Sequence, residues 1–402
     1  MSQTRVQISG YGFITPMGES LEQFEQSLYK NTSAVQPLEV IVPGHHAFEV
    51  PVAPCVFDEK NYLTPSKLPA DRATAMALKS LDQALNNAGI DLRDIEKDRV
   101  GVFWGSGMGG ASSFDQTSQL IYGLNARIRP TCVVTGMPNA PASEIAIKTS
   151  AQGNCITYTC ACASSSIAIG EGMKAVRAGM LDVAIVGGSE SMLTPGMLMA
   201  WHGLRVLATV KNRQISNHVP FSKNRSGFAM GEGAAVFVLE KENQRVGKKY
   251  FLSGYSTNCD GHHMTHPQTS TQRKVMIACL NDAQLMANDL GYINAHATGT
   301  QIGDMTEATS IESVFGRANI LVSSTKSLHG HLLGASGAIE LLTCISALEN
   351  KMLPINSIEQ EIDQDIHLNL VTAENKKISQ LDHVMSNSFA FGGTNACLIV
   401  SK

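Results

Sequence analysis

The 402-residue sequence lacks any run of about 18 consecutive apolar residues, so no transmembrane helix is expected. Its first residues, MSQTRVQISGYG, lack the charged and then apolar layout of a signal peptide and instead indicate a first strand. An excess of basic residues is also missing: the formal net charge is −4, which argues against nucleic acid as the main partner. These absences predict a soluble cytoplasmic protein that binds neither membrane nor nucleic acid.

A disulfide framework is not indicated either. The sequence has nine cysteines, an odd number, scattered through apolar segments at positions 55, 132, 155, 160, 162, 259, 279, 344 and 397. This usage is typical of a reduced cytosolic protein. Most of these cysteines are expected to be small buried apolar residues.

Short apolar runs alternate with helical patterns along the chain. The runs predicted to be strands are Val6–Gly10, Val100–Trp104, Cys155–Thr159, Val183–Gly187, Ala234–Leu239, Tyr250–Tyr255, Leu290–Ala295, Ile320–Ser324, Val384–Phe389 and Ala396–Val400. Within these runs apolar residues follow one another more often than they alternate with polar residues, so we expect strands buried on both faces. Helical patterns over 73–88 and 339–348 lie between them. The order indicates an α/β protein whose sheets are covered by helices.

The two halves of the chain, 1–240 and 241–402, resemble each other weakly. A strand, a small-residue loop and a helix occur over Cys155–Ala178 and again over Ile320–Leu348. A strand end with glycine also occurs twice, in VAIVGGSES and in SNSFAFGGTN. We therefore predict a duplicated unit with its site between the halves. The segments Lys30–Leu68 and Met192–Gly233 look irregular, and we interpret them as insertions over the core.

The segment ITYTCACASSSIAIGEGMKAVRAG contains a candidate nucleophile. A β-rich run ends at Thr159, and a helix of small residues begins just after Cys162. At a helix amino terminus, exposed N–H groups and the helix dipole favour a thiolate. The alternative is a buried structural cysteine beside Cys160, and this segment alone does not decide between the two.

Three loops in the second half add polar chemistry, each at the carboxyl end of a predicted strand. NAHATGTQIGD contains His296, STKSLHGHLLGASGAIE contains Lys326 and His331, and NSFAFGGTN is a glycine-rich turn. Open α/β sheets build their sites at this edge. Two histidines among glycine and hydroxyl residues favour a cysteine–histidine site over two structural histidines.

Together these four segments resemble the β-ketoacyl-acyl-carrier-protein synthases, the elongating ketosynthases of fatty acid and polyketide assembly. The match runs from SGYGFITPMG to SNSFAFGGTN, nearly the whole chain. The resemblance implies the thiolase-like fold, with duplicated halves in αβαβα layers, and a dimer. It implies decarboxylative Claisen condensation of a cysteine-bound acyl chain with malonyl-acyl carrier protein. It implies no cofactor on this chain, because phosphopantetheine is carried by the acyl carrier protein, and no metal.

The resemblance also implies residue roles. Cys162 matches the acyl-accepting cysteine, His296 and His331 match the two family histidines, and Lys326 matches the lysine between them. The remaining matches are Phe391 as the gate, the N–H groups of Cys162 and Phe391 as the oxyanion hole, Thr298 and Thr300 as pantetheine contacts, and Phe389, Met108, Trp201 and Cys132 as substrate-pocket residues. Lys326 is expected to hold His331 electrostatically, with Glu340 and Asp304 as candidate partners. A surface salt bridge is the alternative for Lys326.

The sequence departs from the family pattern at the gate, where Ala390 replaces a glycine. Alanine does not take positive φ freely, so we expect altered gating. Cys132 stands where many relatives place a bulky aromatic residue at the dimer interface. This difference indicates either room for a long, flat or rigid chain or ordinary packing.

Two surface groups leave alternatives open. The cluster Cys259, His262, His263 and His266 suggests zinc by its spacing, but we favour a role in lining the pantetheine tunnel mouth. The basic candidates for docking the acidic carrier are Lys67, Arg72, Arg127, Arg129, Arg205 and Arg213.

Three functions are compatible with the resemblance. The first is an active elongating ketosynthase. The second is the catalytic subunit of a type II polyketide or polyene synthase, paired with a chain-length factor. The third, a non-condensing partner subunit, is disfavoured because Cys162 and both histidines are present. Chain length, pathway and the choice between homodimer and heterodimer stay open.

Overall fold

The computed structural model describes residues 4–59, 62–216, 218–243, 250–317, 319–357 and 361–402. Its strands are β1 Val6–Ile14, β2 Gln36–Val40, β3 Phe48–Ala53, β4 Val100–Gly105, β5 Cys155–Tyr158, β6 Val183–Glu190, β7 Thr209–Lys211, β8 Gln214–Ser216, β9 Met230–Gly231, β10 Gly233–Lys241, β11 Tyr250–Cys259, β12 Tyr292–Asn294, β13 Leu321–Ser323, β14 Asn369–Leu370, β15 His383–Phe389 and β16 Thr394–Ser401. Its helices are α1 Leu21–Lys30, α2 Arg72–Ala88, α3 Ala111–Ser118, α4 Cys132–Gly136, α5 Ala140–Thr149, α6 Ser164–Arg177, α7 Pro195–Gly203, α8 Thr269–Ala283, α9 Gln301–Phe315, α10 Lys326–His329 and α11 Ser336–Asn350. None of the helices in these ranges has the length and apolar character needed to cross a membrane.

Local sequence accounts for the principal elements. Each predicted strand overlaps an observed one, and the two predicted helices correspond to α2 and α11. The α2 helix begins where the Asp71 carboxylate accepts the N–H of Ala73 at 3.0 Å, and it ends at Gly89, whose φ is 58°. A side-chain cap at one end and a left-handed glycine at the other are the usual stop signals of a helix.

A mixed sheet joins the two halves of the chain. Across the described ranges, eleven strands hydrogen-bond in the order β14-β13-β12-β15-β16-β11-β1-β10-β6-β4-β5. The halves meet where β1 pairs with β11 over only three residues, from Val6 to Ile8. Strand β5 ends the order, and its Ile156 side chain is exposed.

Helices cover the sheet of each half on both faces. In β6, Ala184 and Val186 pack in a central cluster with α6 and α11, whereas Val183 and Ile185 pack in an outer cluster with α2 and α5. In the second half, β15 contributes to the same central cluster and to an outer cluster with α8 and α9. The layers therefore run α, β, α, β, α, which confirms the predicted fold class and the burial of strands on both faces.

A tight turn that precedes α6 is repeated before α11. Each turn contains a residue other than glycine with positive φ, Ala161 at 47° and Leu333 at 45°. Each following helix begins with a serine whose Oγ accepts a backbone N–H from four residues upstream, at 2.9 Å for Ser164 and 3.0 Å for Ser336. The weak internal repeat of the sequence thus corresponds to a repeated turn.

The two segments interpreted as irregular insertions contain regular structure, so that part of the prediction is wrong. Strands β2, β3 and β9 form a small sheet, and β7 pairs with β8. Helix α7 precedes β7 in the chain. The pairing of β3 with β9 joins Val52 to Met230, which are distant in sequence. Both side chains pack in one apolar cluster with Cys162. These segments therefore form a wall of the site.

Candidate active site

A thiol and two imidazoles from distant segments meet between the halves. Cys162 lies in the turn before α6, His296 follows β12, and His331 follows α10. The Sγ of Cys162 is 2.9 Å from Nε2 of His331, and the two imidazole centroids are 5.4 Å apart. Each of the three residues places a nitrogen or sulfur atom within 4.8 Å of the others. The structure thus brings together the residues proposed from sequence as nucleophile and partners.

A cavity of about 400 Å³ opens onto these three side chains. The catalytic, gate and substrate-binding residues predicted from sequence that line it are Cys162, Trp201, His296, Thr298, Thr300, His331, Phe389 and Phe391. The hydroxyl oxygens of Thr298 and Thr300 are 3.1 Å apart. Phe228, which the sequence did not single out, also lines the cavity and contacts His331 edge-on, with ring centroids 5.1 Å apart.

Burial governs the state of the nucleophile. It raises the pKa of Cys162 to about 12, although the charge of Lys326 and a hydrogen bond from the Phe391 N–H act in the opposite direction. At neutral pH the resting group is therefore a thiol. Burial disfavours the charged form of the group, so the thiolate expected from sequence at the helix terminus is not the favoured form in this resting state.

Lys326 and Glu340 form a fully buried ion pair behind the histidines. The Lys326 side chain is 0% exposed, which excludes a surface salt bridge. Burial, and after it the charge of Lys326, holds the pKa values of His296 and His331 well below their ordinary value. Both imidazoles are therefore neutral near pH 7.

Asp304 is not a partner of Lys326, so that expectation is wrong. Its carboxylate accepts the N–H groups of Phe221 at 2.8 Å and Gly299 at 3.0 Å, and it lies 3.6 Å from Nε of Arg225. Glu340 alone of the two candidates contacts the lysine, and burial raises the pKa of Glu340 to about 7.

A buried carboxylate that sequence reasoning missed positions His296. Glu307 accepts the backbone N–H of His296 at 2.9 Å and that of Ala297 at 2.7 Å, and Asn387 donates to it at 3.1 Å. Its signal in the sequence is an acidic residue on the inward face of the helix that follows the histidine loop. Glu307 thereby ties the loop to α9 and to β15.

Ser336 contacts the other histidine. Its Oγ lies 2.8 Å from Nδ1 of His331 and accepts the N–H of Leu332 at 3.0 Å. The serine hydroxyl has one proton to donate, and when it donates that proton to Nδ1 the ring hydrogen lies on Nε2. In this arrangement His331 presents an N–H to the cavity.

The glycine-rich loop holds Phe391 against the nucleophile. The backbone N–H of Phe391 is directed at the Cys162 sulfur. Positive φ is found at Gly392, 84°, and at Gly393, 78°, whereas Ala390 is not among the described residues with positive φ. Alanine at position 390 is therefore compatible with this conformation of the loop. The Gly392 N–H also donates to the Met264 carbonyl at 2.7 Å.

Two of the expected pocket residues do not line this cavity. Met108 is 45% exposed, because the turn that contains it is held from inside by the Glu190 carboxylate, which accepts its N–H at 3.2 Å. Cys132 lines a different cavity. Both belong to the segment that follows β4.

The histidine cluster and the basic candidates for carrier docking differ in their positions relative to the cavity. His263 and His266 line the cavity mouth with their Nδ1 atoms 2.9 Å apart. Within the part of the chain that the structure describes, this cluster does not bring three ligand atoms close enough for one ion. Among the basic candidates, Arg205 lines the catalytic cavity, whereas Arg72 is held by Glu232 and Glu59. The expectation that Arg72 docks a carrier is therefore wrong.

Known proteins resemble this chain over its whole length. The model of the β-ketoacyl synthase N-terminal domain matches residues 3–245, and that of the C-terminal domain matches residues 251–358. The 3-oxoacyl-(acyl-carrier-protein) synthase 2 of Staphylococcus aureus is 32% identical, covering 100% of this chain and 99% of the relative, and that of Vibrio cholerae is 30% identical, covering 100% of both.

Solved structures show the same similarity. A β-ketoacyl synthase from Burkholderia phymatum has a TM-score of 0.89 at 29% identity and covers 99% of both chains. The ketosynthase ApeO in complex with its chain length factor ApeC, from Xenorhabdus doucetiae, has a TM-score of 0.86 at 26% identity, with 99% and 98% coverage. The ishigamide ketosynthase/chain length factor has a TM-score of 0.89 at 25% identity and covers 100% of both chains. The chain belongs to the β-ketoacyl synthase family, whose members are acyltransferases.

Proposed function

We propose that this chain is an elongating β-ketoacyl-acyl-carrier-protein synthase. It joins an acyl group held on Cys162 to a malonyl unit carried by acyl carrier protein, with loss of CO₂. The observation that carries the proposal is the 2.9 Å contact between the Cys162 sulfur and Nε2 of His331, with His296 beside them in one cavity. Binding an acyl chain would not require this set, whereas condensation requires all three groups.

In the first half-reaction, Cys162 takes the acyl group from the carrier thioester. The sulfur attacks the thioester carbon, and the N–H groups of Cys162 and Phe391 bind the oxyanion of the tetrahedral intermediate. The carrier sulfur then leaves. The proton lost by the Cys162 thiol ends on the carrier thiol, so the exchange is balanced and no outside base is consumed.

In the second half-reaction, His296 and His331 act on malonyl-carrier. Each neutral imidazole donates an N–H to the thioester oxygen, which becomes negative as the carboxylate leaves as CO₂. The resulting enolate attacks the acyl group on Cys162. The new carbon–carbon bond forms, the cysteine sulfur leaves, and it takes up one proton to restore the thiol. Burial, and after it the charge of Lys326, keeps both histidines neutral.

Acyl carrier protein supplies both thioesters on its phosphopantetheine arm, and this chain binds no cofactor. The arm passes the mouth lined by His263 and His266 and contacts the hydroxyl groups of Thr298 and Thr300. Arg205, exposed at the same mouth, receives the acidic carrier. Attraction between opposite charges speeds encounter and weakens as salt is added.

An exposed apolar segment supports assembly with a second ketosynthase-like chain. Of the 22 large apolar side chains exposed within the described ranges, 11 lie between residues 108 and 156: Met108, Phe114, Ile121, Tyr122, Leu124, Ile128, Val133, Val134, Met137, Ile147 and Ile156. Strand β5, at the end of the sheet order, belongs to this segment. Such a patch beside a sheet edge is typical of an interface.

The second chain is a copy of this one or a chain-length factor. The ketosynthase–chain length factor complexes among the similar structures support the latter and, with it, a type II polyketide or polyene pathway. The free cysteines favour a reducing compartment, and we place the protein in the cytoplasm.

Mass spectrometry of the intact protein tests the proposal. A set of acyl-carriers of different chain length is offered first, and malonyl-carrier is added afterwards. We expect an acyl adduct on Cys162 and then a β-ketoacyl-carrier product. Cys162→Ala should abolish both, whereas Cys160→Ala, which removes the neighbouring thiol, should retain the adduct. An adduct on another cysteine, or none with any carrier, would overturn the assignment.

A further inference from the structure

The loop between β11 and α8 places two imidazoles against each other at the mouth of the catalytic cavity. His263 and His266 both line this mouth, and both side chains are exposed. Their Nδ1 atoms are 2.9 Å apart, with the ring centroids 4.4 Å apart and the ring planes at 86°. The proposed condensation uses His296 and His331 and does not require this second pair of imidazoles. Its arrangement therefore needs another explanation.

A single hydrogen atom lies between the two rings. Nδ1 of His263 accepts the backbone N–H of Thr265 at 3.1 Å, so the hydrogen shared by the rings belongs to His266. When that hydrogen moves to Nε2 of His266, both Nδ1 atoms have a lone pair for a metal ion, which replaces the Thr265 N–H at His263. A neutral imidazole is the commonest metal ligand in proteins. The pair can thus bind an ion without losing a proton.

The separation of the two nitrogens selects the kind of ion. Imidazole nitrogens bind a divalent metal at about 2.0–2.1 Å, so two nitrogens 2.9 Å apart subtend an angle of about 90° at the ion. A tetrahedral ion such as zinc would need a separation of about 3.3 Å. An angle of about 90° instead joins neighbouring positions of a square-planar or octahedral ion, and Cu²⁺ and Ni²⁺ prefer such tetragonal sites. The pair therefore fits these two ions better than the zinc considered from sequence.

One carboxylate fixes both ends of the histidine loop. Asp260 accepts the Gln268 N–H at 3.1 Å and the side-chain amide of Asn395 at 2.7 Å, and its own N–H donates to the Gly393 carbonyl at 2.8 Å. A loop held at its ends loses less conformational entropy when its side chains bind a ligand. The two histidines are thus partly organised before an ion arrives.

An ion on this pair would lie in the path of the substrate. Thr298 and Thr300, the expected contacts of the pantetheine arm, line the same cavity as the two histidines. Between the histidines in the chain, the Met264 carbonyl accepts the Gly392 N–H at 2.7 Å, which ties the histidine loop to the loop of Phe391. A bound ion therefore narrows the mouth and restrains the loop that holds Phe391 against the nucleophile.

We propose that His263 and His266 form a two-imidazole site for Cu²⁺ or Ni²⁺, and that the bound ion inhibits the protein by closing the mouth of the catalytic cavity. Binding follows from the geometry of the pair alone. Inhibition rests on the proposed function, because it requires thioesters to enter through this mouth. Within the described residues the cluster offers no third ligand atom near enough, and water fills the remaining positions on the ion.

Calorimetric titration of the full-length protein with Ni²⁺ tests binding, since Ni²⁺, unlike Cu²⁺, does not oxidise thiols. The catalytic residues Cys162, His296 and His331 also bring three ligand atoms within 4.8 Å of one another. The titration is therefore done in Cys162→Ala, which removes the sulfur ligand. We expect Ni²⁺ to bind in this background, and adding His263→Asn with His266→Asn should remove one equivalent of bound ion. Zn²⁺ should bind the pair more weakly than Ni²⁺.

The double variant His45→Asn with His46→Asn is the matched control, because it also removes two neighbouring exposed imidazoles, but away from the mouth. It should bind as much Ni²⁺ as the background. No saturable binding, or the same number of bound ions with and without His263 and His266, would overturn the site. Tighter binding of Zn²⁺ than of Ni²⁺ would overturn the choice of ion.

Inhibition is measured as the rate at which acyl-carrier loads Cys162, with and without Ni²⁺, and each variant is compared with its own rate without metal. Ni²⁺ should slow loading of the wild type and of the His45 and His46 control, and excess carrier should relieve the effect. The double variant of His263 and His266 should be insensitive to Ni²⁺. Equal inhibition of that variant, or binding without inhibition, would overturn the inhibitory role. Absence of loading without metal would instead overturn the proposed function, so the two failures are distinguishable.

Discussion

Removing the Ser336 hydroxyl should slow decarboxylation of malonyl-carrier more than it slows acyl loading. Ser336 Oγ lies 2.8 Å from Nδ1 of His331 and accepts the Leu332 N–H at 3.0 Å, and we assign its proton to the hydrogen bond with the ring. In Ser336→Ala nothing fixes the ring hydrogen on Nε2. The fraction of His331 able to donate to the developing enolate oxygen therefore falls.

The expected magnitude follows from the single interaction removed. An uncharged hydrogen bond contributes about 0.5–1.5 kcal/mol, which corresponds to a loss of about 2- to 12-fold in the rate constant. Removing the donor itself, in His331→Ala, should cost about 10²–10³-fold. The serine variant should thus be intermediate, with the KM for malonyl-carrier unchanged because the substrate contacts remain.

Single-turnover release of CO₂ measures decarboxylation, and mass spectrometry measures loading of Cys162. The internal repeat supplies a matched control: Ser164 accepts the equivalent N–H, at 2.9 Å, in the turn that carries the nucleophile. Ser164→Ala should lower the midpoint of thermal unfolding to a similar extent without a selective loss of decarboxylation. Equal loss of both steps in the Ser336 variant, or the same kinetic pattern in both variants, would refute the reasoning.

Three further outcomes are expected. The ring nitrogens of His296 and His331 should keep the 15N chemical shifts of a neutral imidazole between about pH 6 and pH 8, since burial, and after it the charge of Lys326, lowers their pKa values well below 6.5; imidazolium shifts in this range would contradict this. Glu340→Gln should lower the free energy of unfolding by about 3–5 kcal/mol, because it leaves the Lys326 charge buried without a partner. The double variant Lys326→Met with Glu340→Leu should recover most of that free energy but not the activity. Equal denaturant midpoints for the single and double variants would count against the buried pair. Ala390→Gly should accelerate acyl loading in rapid-mixing experiments because glycine loosens the loop, and unchanged kinetics would reject a role for position 390 in gating.

Much of the architecture could be predicted because strands buried on both faces leave a strong signal. The run Val183–Gly187 was expected from continuous apolar residues, and the strand extends to Glu190. The prediction was wrong for the two segments that contain β2, β3 and β9. Those strands are short, and the pairing of Val52 with Met230 joins residues far apart in the chain, which no local pattern indicates.

Some residues of the site could likewise be predicted from the sequence, and others could not. The nucleophile and its two histidines lie in the segments that follow β5, β12 and β13, so local sequence could nominate them. Glu307 and Ser336 act through contacts to a backbone N–H and to a ring nitrogen, and an acid or a serine on a helix is too common to be singled out. The state of the Cys162 thiol was also beyond the sequence. It depends on complete burial by segments from both halves, which raises the pKa of the thiol.

The repeated turn explains why a duplicated fold carries one nucleophile. Cys162 stands in the middle of the first turn and Gly334 in the middle of the second. A Cβ on Gly334 would overlap the backbone nitrogen of Gly107, and the Gly334 N–H is bound at 3.0 Å to the buried Glu190. The second turn therefore has no room for a side chain, let alone a thiol. Its serine, Ser336, instead holds a histidine directed at the nucleophile of the first turn, so that the two copies complete a single site.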